Sequence, residues 1–391
     1  MIEKSFDEVV LFARTGLNPR TNFKLGQGTN KYITIKNIHN NNILIDDNTD
    51  VVDDEAIKLI HKRSQIKKGD ILFCSIGRMG DMYIIPDEPN GWDINESVFA
   101  FTLNTDIIRQ KYFYYIFKHQ DTLDYLSQNS SGSTFKSIKM NQLKRMVFKL
   151  PTLEEQDRIV AALDCVCSII EGRQQELQKL DDLIKARFVE MFGDAVHNDK
   201  GWETDTVERL CEEIYGGGTP SKSHPEYYEY GNIPWVSSKD MKADVISDSQ
   251  IKINQLGIDN STAKMVPVNS VIMVIRSGIL KHTLPVAINA VPVTVNQDLK
   301  VFIPSKRILT RFLAVQFKMH EKDILTGVRA VTADNIEFNS LKQRDLIVPP
   351  IELQQEYAAF LEQLDKSKVV VQKALDKAEL LFDSLMQQYF G

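Results

Sequence analysis

The apolar positions of this chain are most regular between Leu150 and Gly193. Apolar side chains recur there at alternating steps of three and four residues, the heptad pattern of a long helix that packs against another helix. Pro151 suits the first turn of such a helix, and Gly193 suits its end. From Leu153 to Phe192 the helix would be about 60 Å long, so it needs a partner to cover its apolar stripe. The stripe consists of Ile159, Leu163, Val166, Ile170, Leu177, Leu180, Ile184 and Met191.

The same pattern returns 198 residues later, between Val348 and Gly391. No gap is needed, and Gln156 near the start of the first copy corresponds to Gln354 in the second. Two unrelated amphipathic helices would not explain an unbroken offset, so the pattern predicts two copies of one helix. The second stripe consists of Leu361, Leu364, Val371, Leu375, Ala378, Phe382, Leu385 and Tyr389.

The segments that precede the two helices also repeat, at offsets that drift from 198 to 203. Short alternating apolar runs with Gly-rich turns predict strands and hairpins in both. The matching stretches are GLNPR (16–20) with EEIYGGGTPSK (212–222), KYITIKNI (31–38) with IPWVSSKDM (233–241), GDILFCSIGRMG (69–80) with NSVIMVIRSGIL (269–280), and INESVFAF (94–101) with VNQDLKVFI (295–303).

This order predicts an α+β protein built as two tandem copies of one module, a globular α/β head followed by a long helix. We place the first head at residues 1–149, the first long helix at 150–195, the second head at 196–347 and the second long helix at 348–391. The heads match each other less closely than the helices do. This difference indicates one scaffold that presents two different recognition surfaces.

Charge and composition restrict the function. The 391 residues hold 47 Lys and Arg against 53 Asp and Glu, a net charge of −6, which weighs mildly against nucleic-acid binding. The excess acid lies on the helices, because residues 1–150 carry +2, 151–195 carry −5, 196–349 carry 0 and 350–391 carry −3. A DNA-binding role would therefore need basic residues clustered on one face of a head.

The chain shows no signal peptide and no apolar run near 18 residues, so we expect a cytoplasmic protein without a membrane partner. Its four cysteines form no CxxC pair, and its seven histidines form no HExxH motif. We therefore expect no metal site. Motifs for a nucleotide-binding loop, a methyltransferase or a nuclease are absent, and Gly216–Gly218 is followed by Pro220 where a phosphate loop would need lysine. We expect no catalytic residue in this chain.

With its two heads and two similar helices, the chain resembles the specificity subunit of a type I restriction–modification system. The resemblance rests on GGGTPSK (216–222), IPWVSSKDM (233–241), VIRSGIL (274–280) and VNQD (295–298), together with the Pro, apolar, Glu and Gln residues that open both long helices. Each motif is weak alone, but their order covers nearly the whole chain.

The resemblance implies two globular α/β target-recognition domains joined by two long antiparallel coiled-coil helices, in an internal pseudo-twofold repeat. Each head would read one half of a bipartite, asymmetric site in double-stranded DNA. The helices would dock two modification (methyltransferase) subunits, which bind S-adenosylmethionine and methylate adenine, while restriction (motor and nuclease) subunits would join through the complex. This chain itself would hold no cofactor.

Candidate DNA contacts are polar and basic residues on predicted loops, because such side chains bind phosphates and base edges. In the first head they are Arg20, Lys36, Arg78, Ser133, Thr134 and Lys136, and in the second Thr219, Ser221, Lys222, Ser237, Lys239, Arg276, Ser277 and Arg329. Lys36 and Lys239 occupy matching places, so a shared salt bridge is the alternative for them.

Three further alternatives remain open at this level. A two-headed coiled-coil adaptor that binds proteins would also suit near-neutral heads and acidic helices. An enzyme with an unrecognised site and a specificity protein from a fused, type IIB-like system are the others. Within the helices, Arg173 and Arg187 interrupt the apolar stripes, and we expect each either to reach solvent or to meet acidic residues of a partner helix.

Overall fold

The computed structural model describes residues 1–132, 135–326 and 334–391, together with the backbone of residues 329–330. The chain forms two compact units. The first comprises Met1–Gln174 with Lys373–Gly391, and the second comprises Gln175–Gln372. Each unit therefore contains one head and a segment of each long helix.

The first unit contains eleven strands in the described residues, five short helices and the start of a long helix. The strands are β1 (Ile2–Ser5), β2 (Val10–Thr15), β3 (Asn30–Ile33), β4 (Ile38–His39), β5 (Asn42–Ile43), β6 (Val51–Val52), β7 (Ile71–Cys74), β8 (Met82–Ile84), β9 (Trp92–Ile94), β10 (Val98–Leu103) and β11 (Val147–Leu150). The helices are α1 (Phe6–Val9), α2 (Asp54–Ser64), α3 (Gln110–Ile116), α4 (Gln120–Gln128), α5 (Met140–Leu143) and α6 (Leu153–Phe192), which continues into the second unit.

The second unit repeats this order of elements. Its strands are β12 (Thr204–Thr206), β13 (Cys211–Gly216), β14 (Ile233–Val236), β15 (Val245–Ile246), β16 (Lys252–Ile253), β17 (Val271–Val274), β18 (Val286–Asn289), β19 (Thr294–Val295), β20 (Leu299–Pro304), β21 (Arg329–Ala330), β22 (Asp334–Asn335) and β23 (Asp345–Ile347). Its helices are α7 (Val207–Leu210), α8 (Gln255–Asp259), α9 (Thr310–Met319), α10 (Glu321–Thr326), α11 (Phe338–Lys342) and α12 (Ile351–Phe390), which continues into the first unit.

The sheets of the two heads share one topology. The first head has an antiparallel sheet in the order β2-β10-β7-β8, and the second has the order β13-β20-β17-β18 with β15 added at the edge. A second, smaller sheet has the order β6-β3-β9 in one head and β16-β14-β19 in the other, and both contain one parallel pair. The predicted repeat of an α/β module is therefore confirmed.

The first strand of the predicted hairpin, β7 or β17, lies inside the larger sheet of its head, between two neighbouring strands. All four residues of β7 are buried, and so are all four of β17, because both faces of these strands are covered. The registers correspond as well: Val98 lies opposite Cys74 in the first head, and Leu299 lies opposite Val274 in the second.

Both long helices extend over the 40 residues that the heptad pattern predicts, Leu153–Phe192 and Ile351–Phe390. In the first unit the start of α6 packs into the core of the head beside the end of α12, with Leu163 and Met386 buried. In the second unit the end of α6 and the start of α12 pack together, with Phe188 and Tyr357 buried.

Ion pairs in the second unit show that these helix segments are antiparallel. The Arg187 guanidinium lies 2.9 Å from the Glu356 carboxylate. Asp181, six residues earlier on α6, pairs with Lys368, twelve residues later on α12. The expectation that a basic residue in the apolar stripe meets an acid of the partner helix is thus confirmed for Arg187.

A buried glutamine joins the start of α6 to the first head. The Gln156 side chain is fully buried. Its Oε1 accepts a hydrogen bond from the Arg109 backbone N–H at 2.9 Å, and its Nε2 donates to the backbone oxygens of Ile107 at 2.9 Å and Pro151 at 3.1 Å. One amide therefore satisfies groups at the start of α3 and just before α6.

The second head contains the same arrangement at the start of α12. Gln354 is fully buried, its Oε1 accepts from the Leu309 N–H at 2.9 Å, and its Nε2 donates to the backbone oxygens of Arg307 at 3.1 Å and Pro349 at 2.8 Å. We call each of these sets of three hydrogen bonds a glutamine bridge. The bridges explain why glutamine occurs at the same place in both helix-opening motifs.

His320, which follows α9, is buried without a hydrogen-bond partner on either ring nitrogen among the described residues. Its side chain is 2% exposed. Burial, together with the nearby Arg344 guanidinium, lowers the pKa of His320 to about 4, against opposing effects of Asp323 and Asp194. The imidazole is therefore neutral in the folded protein at neutral pH.

All four cysteines are free thiols. Burial raises the pKa of Cys74 and of Cys211 to about 12, so neither is a thiolate at neutral pH. Within the described residues there is no group of three His, Cys, Asp or Glu side chains placed to hold a metal ion. None of the helices in the described part of the chain is long and apolar enough to cross a membrane.

Replacing Gln354 by alanine should destabilise the protein by roughly 2–4 kcal/mol, because it leaves one buried N–H and two carbonyls without their partner. Chemical denaturation measures this change. The neighbouring Gln355 is exposed, so Gln355→Ala should change the free energy of unfolding by less than about 0.5 kcal/mol. Equal stabilities of the two variants would contradict the structural role of the glutamine bridge.

The buried His320 should make stability depend on pH. Above the unfolded pKa of about 6.5 the histidine is neutral in both states, whereas at lower pH only the unfolded state binds the proton. Folding should therefore weaken as pH falls from 6.5 to 4, by up to roughly 3 kcal/mol from this residue. His320→Leu should remove that component from the pH profile of unfolding, and parallel profiles for the two proteins would refute it.

Candidate nucleic-acid interface

The glycines of the two Gly-rich loops sit where the backbone passes close to a strand end. A Cβ on Gly16 would lie 1.7 Å from the Ile94 backbone oxygen, and one on Gly217 would lie 1.9 Å from the Val295 oxygen. Only glycine permits this approach. Each loop is therefore fixed at its base and continues outward to exposed polar residues.

The candidates on these loops are exposed. Arg20 lies on the loop after Gly16, and Ser221 and Lys222 lie in the turn after Gly217. None of these three side chains bonds another candidate among the described residues, although Ser221 and Ser223 share a hydrogen bond of 2.7 Å. The Thr219 hydroxyl donates to the side-chain oxygen of Gln297.

Two further loops of the first head lie next to each other. The turn of the β7–β8 hairpin carries Arg78, and its Gly77 N–H donates to the Lys136 backbone oxygen at 3.1 Å. Arg78 and Lys136 are both exposed, so the structure places two predicted basic residues on adjoining loops. Lys136 also donates to the Ser127 hydroxyl at 3.0 Å. Ser133 and Thr134 lie outside the described residues.

The second head pairs the corresponding loops. The Ser277 N–H donates to the Asp334 backbone oxygen at 3.1 Å, and a bridge joins Arg276 to Asn335. The Arg276 side chain is about half exposed and lies 4.0 Å from Asp298, at the limit of an ion pair. Arg329 belongs to β21, whose backbone pairs with Asn335, but its side chain lies outside the described residues.

Lys36 and Lys239 occupy equivalent turns and are both exposed. Neither has an acidic partner in the part of the chain that the structure describes, so the alternative of a shared salt bridge is not supported. Ser237 has a structural task, since its hydroxyl donates to the Asp240 carboxylate at 2.8 Å and closes the turn that presents Lys239.

One cavity of about 520 Å³ in the second head brings together Lys239 and Ser277, which come from distant parts of the sequence. Lys242 and Lys318 line the same cavity, although the sequence motifs did not single them out. Aligning the two repeats residue by residue would have drawn attention to both, because each corresponds to a basic or titratable residue of the first head.

These observations define a class of protein: a tandem-repeat recognition protein with two heads of one topology and different exposed loops. The chain belongs to the family of the type I restriction modification DNA specificity domain, whose profile matches residues 3–181 and 199–379. Both repeats are thus members of one domain family. This membership confirms the predicted resemblance to specificity subunits of type I restriction–modification systems.

Two relatives illustrate the similarity. The EcoR124I/EcoR124II specificity subunit of Escherichia coli is 38% identical over 156 residues, which cover 39% of this chain and 38% of that subunit. The MjaIX specificity subunit of Methanocaldococcus jannaschii is 24% identical over 337 residues, which cover 82% of this chain and 76% of its own length. The chain thus spans less than two fifths of the first relative in that match.

Solved structures show the same fold. The S subunit of a type I restriction–modification system from M. genitalium matches with a TM-score of 0.57 at 14% identity, covering 100% of this chain and 96% of that one. A chain from a structure that addresses complex assembly and conformational transition of the type I R-M system matches with a TM-score of 0.56 at 16% identity, covering 100% and 97%. At these identities the comparison concerns the fold alone.

Gly217→Ala should destabilise the protein by about 1–3 kcal/mol, because its methyl group would overlap the Val295 oxygen. Gly172, within α6, is a matched control, since a Cβ there meets nothing within 4 Å. Gly172→Ala should instead stabilise the protein by about 0.5–1 kcal/mol through helix propensity. Thermal unfolding of both variants gives the two signs, and a neutral Gly217→Ala would refute the close approach.

Proposed function

We propose that this chain is the non-catalytic subunit that selects the DNA sequence in a type I restriction–modification complex, with each head reading one half of a bipartite, asymmetric site in double-stranded DNA. The observation that carries the proposal is the presence of two heads with one topology and different exposed loops. Identical heads would read a symmetric site, whereas different loops present different donors and acceptors to the bases.

We further propose that the long helices dock two modification subunits. Exposed apolar side chains on a helix surface are typical of protein interfaces. Leu183 on α6 and Leu381 on α12 occupy equivalent positions in the repeat, and they are 45% and 49% exposed. The same exposed leucine on both helices supports two equivalent docking places.

The chemistry belongs to the partners in this proposal. The modification subunits would bind S-adenosylmethionine and transfer its methyl group to adenine, and restriction subunits with motor and nuclease activity would join through the complex. This chain would contribute only DNA contacts and docking contacts, in agreement with the absence of catalytic motifs from its sequence.

Methylation mapping tests the proposal. Adenine methylation is sequenced in a host that expresses this chain with its cognate modification subunit, and we expect one split, asymmetric motif that disappears when this gene is deleted. Exchanging residues 1–149 for the head of another specificity subunit should change one half of the motif and leave the other half unchanged.

The Leu183→Ser, Leu381→Ser double variant should purify with less modification subunit than the wild type, while its circular dichroism stays unchanged.

For methylation mapping, adenine methylation that persists unaltered after deletion of this gene would reject the role in sequence selection and favour a protein-binding adaptor.

A further inference from the structure

A partly buried acid contacts two basic side chains in the first head. Asp81, at the end of the β7–β8 turn, is 15% exposed. Its carboxylate lies 3.3 Å from the Lys118 Nζ and 3.1 Å from the His39 Nδ1. Lys118 also donates to the Asn40 side-chain oxygen at 3.4 Å. The basic groups at this place are therefore occupied by the protein itself.

The second head has a proline at the place of that acid. The Cys74 N–H donates to the Asp81 backbone oxygen at 2.9 Å, and the corresponding Val274 N–H donates to the Pro285 oxygen at 3.1 Å. Pro285 therefore occupies the position of Asp81. The side chain that accepted the two basic partners in the first head is missing from the second.

The two basic positions are nevertheless retained. Lys118 follows the buried Phe117, and Lys318 follows the buried Phe317 at the equivalent place. His39 comes two residues after the end of a turn, and Lys242 comes two residues after the end of the corresponding turn closed by Asp240. The second head thus has a lysine at both of these places and lacks the carboxylate.

These lysines converge on the cavity described above. Lys239, Lys242 and Lys318 line it, and so does Ser277. Asp244 is the one acid among the described residues that line this cavity, so the lining carries an excess of positive charge. Lys318 donates one hydrogen bond, of 2.7 Å, to the Leu284 backbone oxygen, and its ammonium group has further hydrogens to donate.

We propose that this cavity binds a phosphate group of the DNA backbone, and that the first head holds phosphate more weakly at the equivalent place because Asp81 pairs with His39 and Lys118 and leaves only Lys36 without an acid. The proposal rests on the function proposed above. Ammonium groups and hydroxyls are typical phosphate ligands in protein–DNA complexes. Such contacts position a protein on DNA without reading the DNA sequence. The two heads would therefore differ in how firmly they hold the backbone.

Restoring the acid tests the proposal. The full chain in complex with its modification subunits is measured against a duplex that contains its methylation motif, over a range of salt concentrations. Pro285→Asp should reproduce the pairing of the first head and weaken DNA binding, reducing the slope of log K against log salt by roughly one to two. The methylated motif should stay unchanged, since no base contact is altered.

Three further variants separate charge from other causes. Pro285→Asn makes the same change in the backbone and in side-chain size as Pro285→Asp, but it adds no charge. It should therefore bind DNA as the wild type does. Lys318→Gln should lower the slope by roughly one. Lys306→Gln removes the same charge from an exposed site outside the cavity lining and should leave the slope unchanged.

Several results would overturn the proposal. Wild-type slopes for both Pro285→Asp and Lys318→Gln would do so, as would equal losses for Pro285→Asp and Pro285→Asn. If the wild-type complex binds inorganic phosphate without DNA while the variants bind DNA normally, the cavity serves a free phosphate instead. If the wild-type complex shows no preference for its motif, the proposed function fails first, and that outcome is distinguishable from failure at this cavity.

Discussion

The buried amide of the glutamine bridge is the contact on which each module depends. A long amphipathic helix can pack along many directions, but Gln156 and Gln354 bind its first turn to the loop before α3 or α9. Three hydrogen bonds in a buried place are costly to lose and have defined directions. The head is thereby oriented relative to the helix that follows it, and every loop it presents is oriented with it.

The two modules share this framework and differ in what they expose. Strand order, register and the close approach of a glycine to a strand end are the same in both heads. The hairpin turns differ in length and charge, since Asp81 in one becomes Pro285 in the other. A conserved framework with variable turns lets sequence specificity change without disturbing the core, because the turns contribute little to the buried apolar surface.

Net charge is a poor guide to nucleic-acid binding in this protein. The chain is acidic overall, yet its excess of acid lies on the long helices, where Glu356 pairs with Arg187. A bound phosphate would respond to the local charge, which depends on how many lysines at one cavity lack a carboxylate partner. Removing a single acid changes the charge at such a cavity to an extent that the net charge of all 391 residues does not reveal.

The sequence by itself determined the repeat, the bounds of α6 and α12 and the strands of the hairpins, because apolar periodicity is a local property that survives in the linear order. It also indicated exposed candidates such as Lys239. Only the tertiary structure decided that Asp81 pairs with His39 and Lys118, that Pro285 leaves Lys242 and Lys318 without that acid, and that the Ser237 hydroxyl closes a turn. Those outcomes depend on strand register and on contacts between residues distant in sequence, which periodicity does not encode.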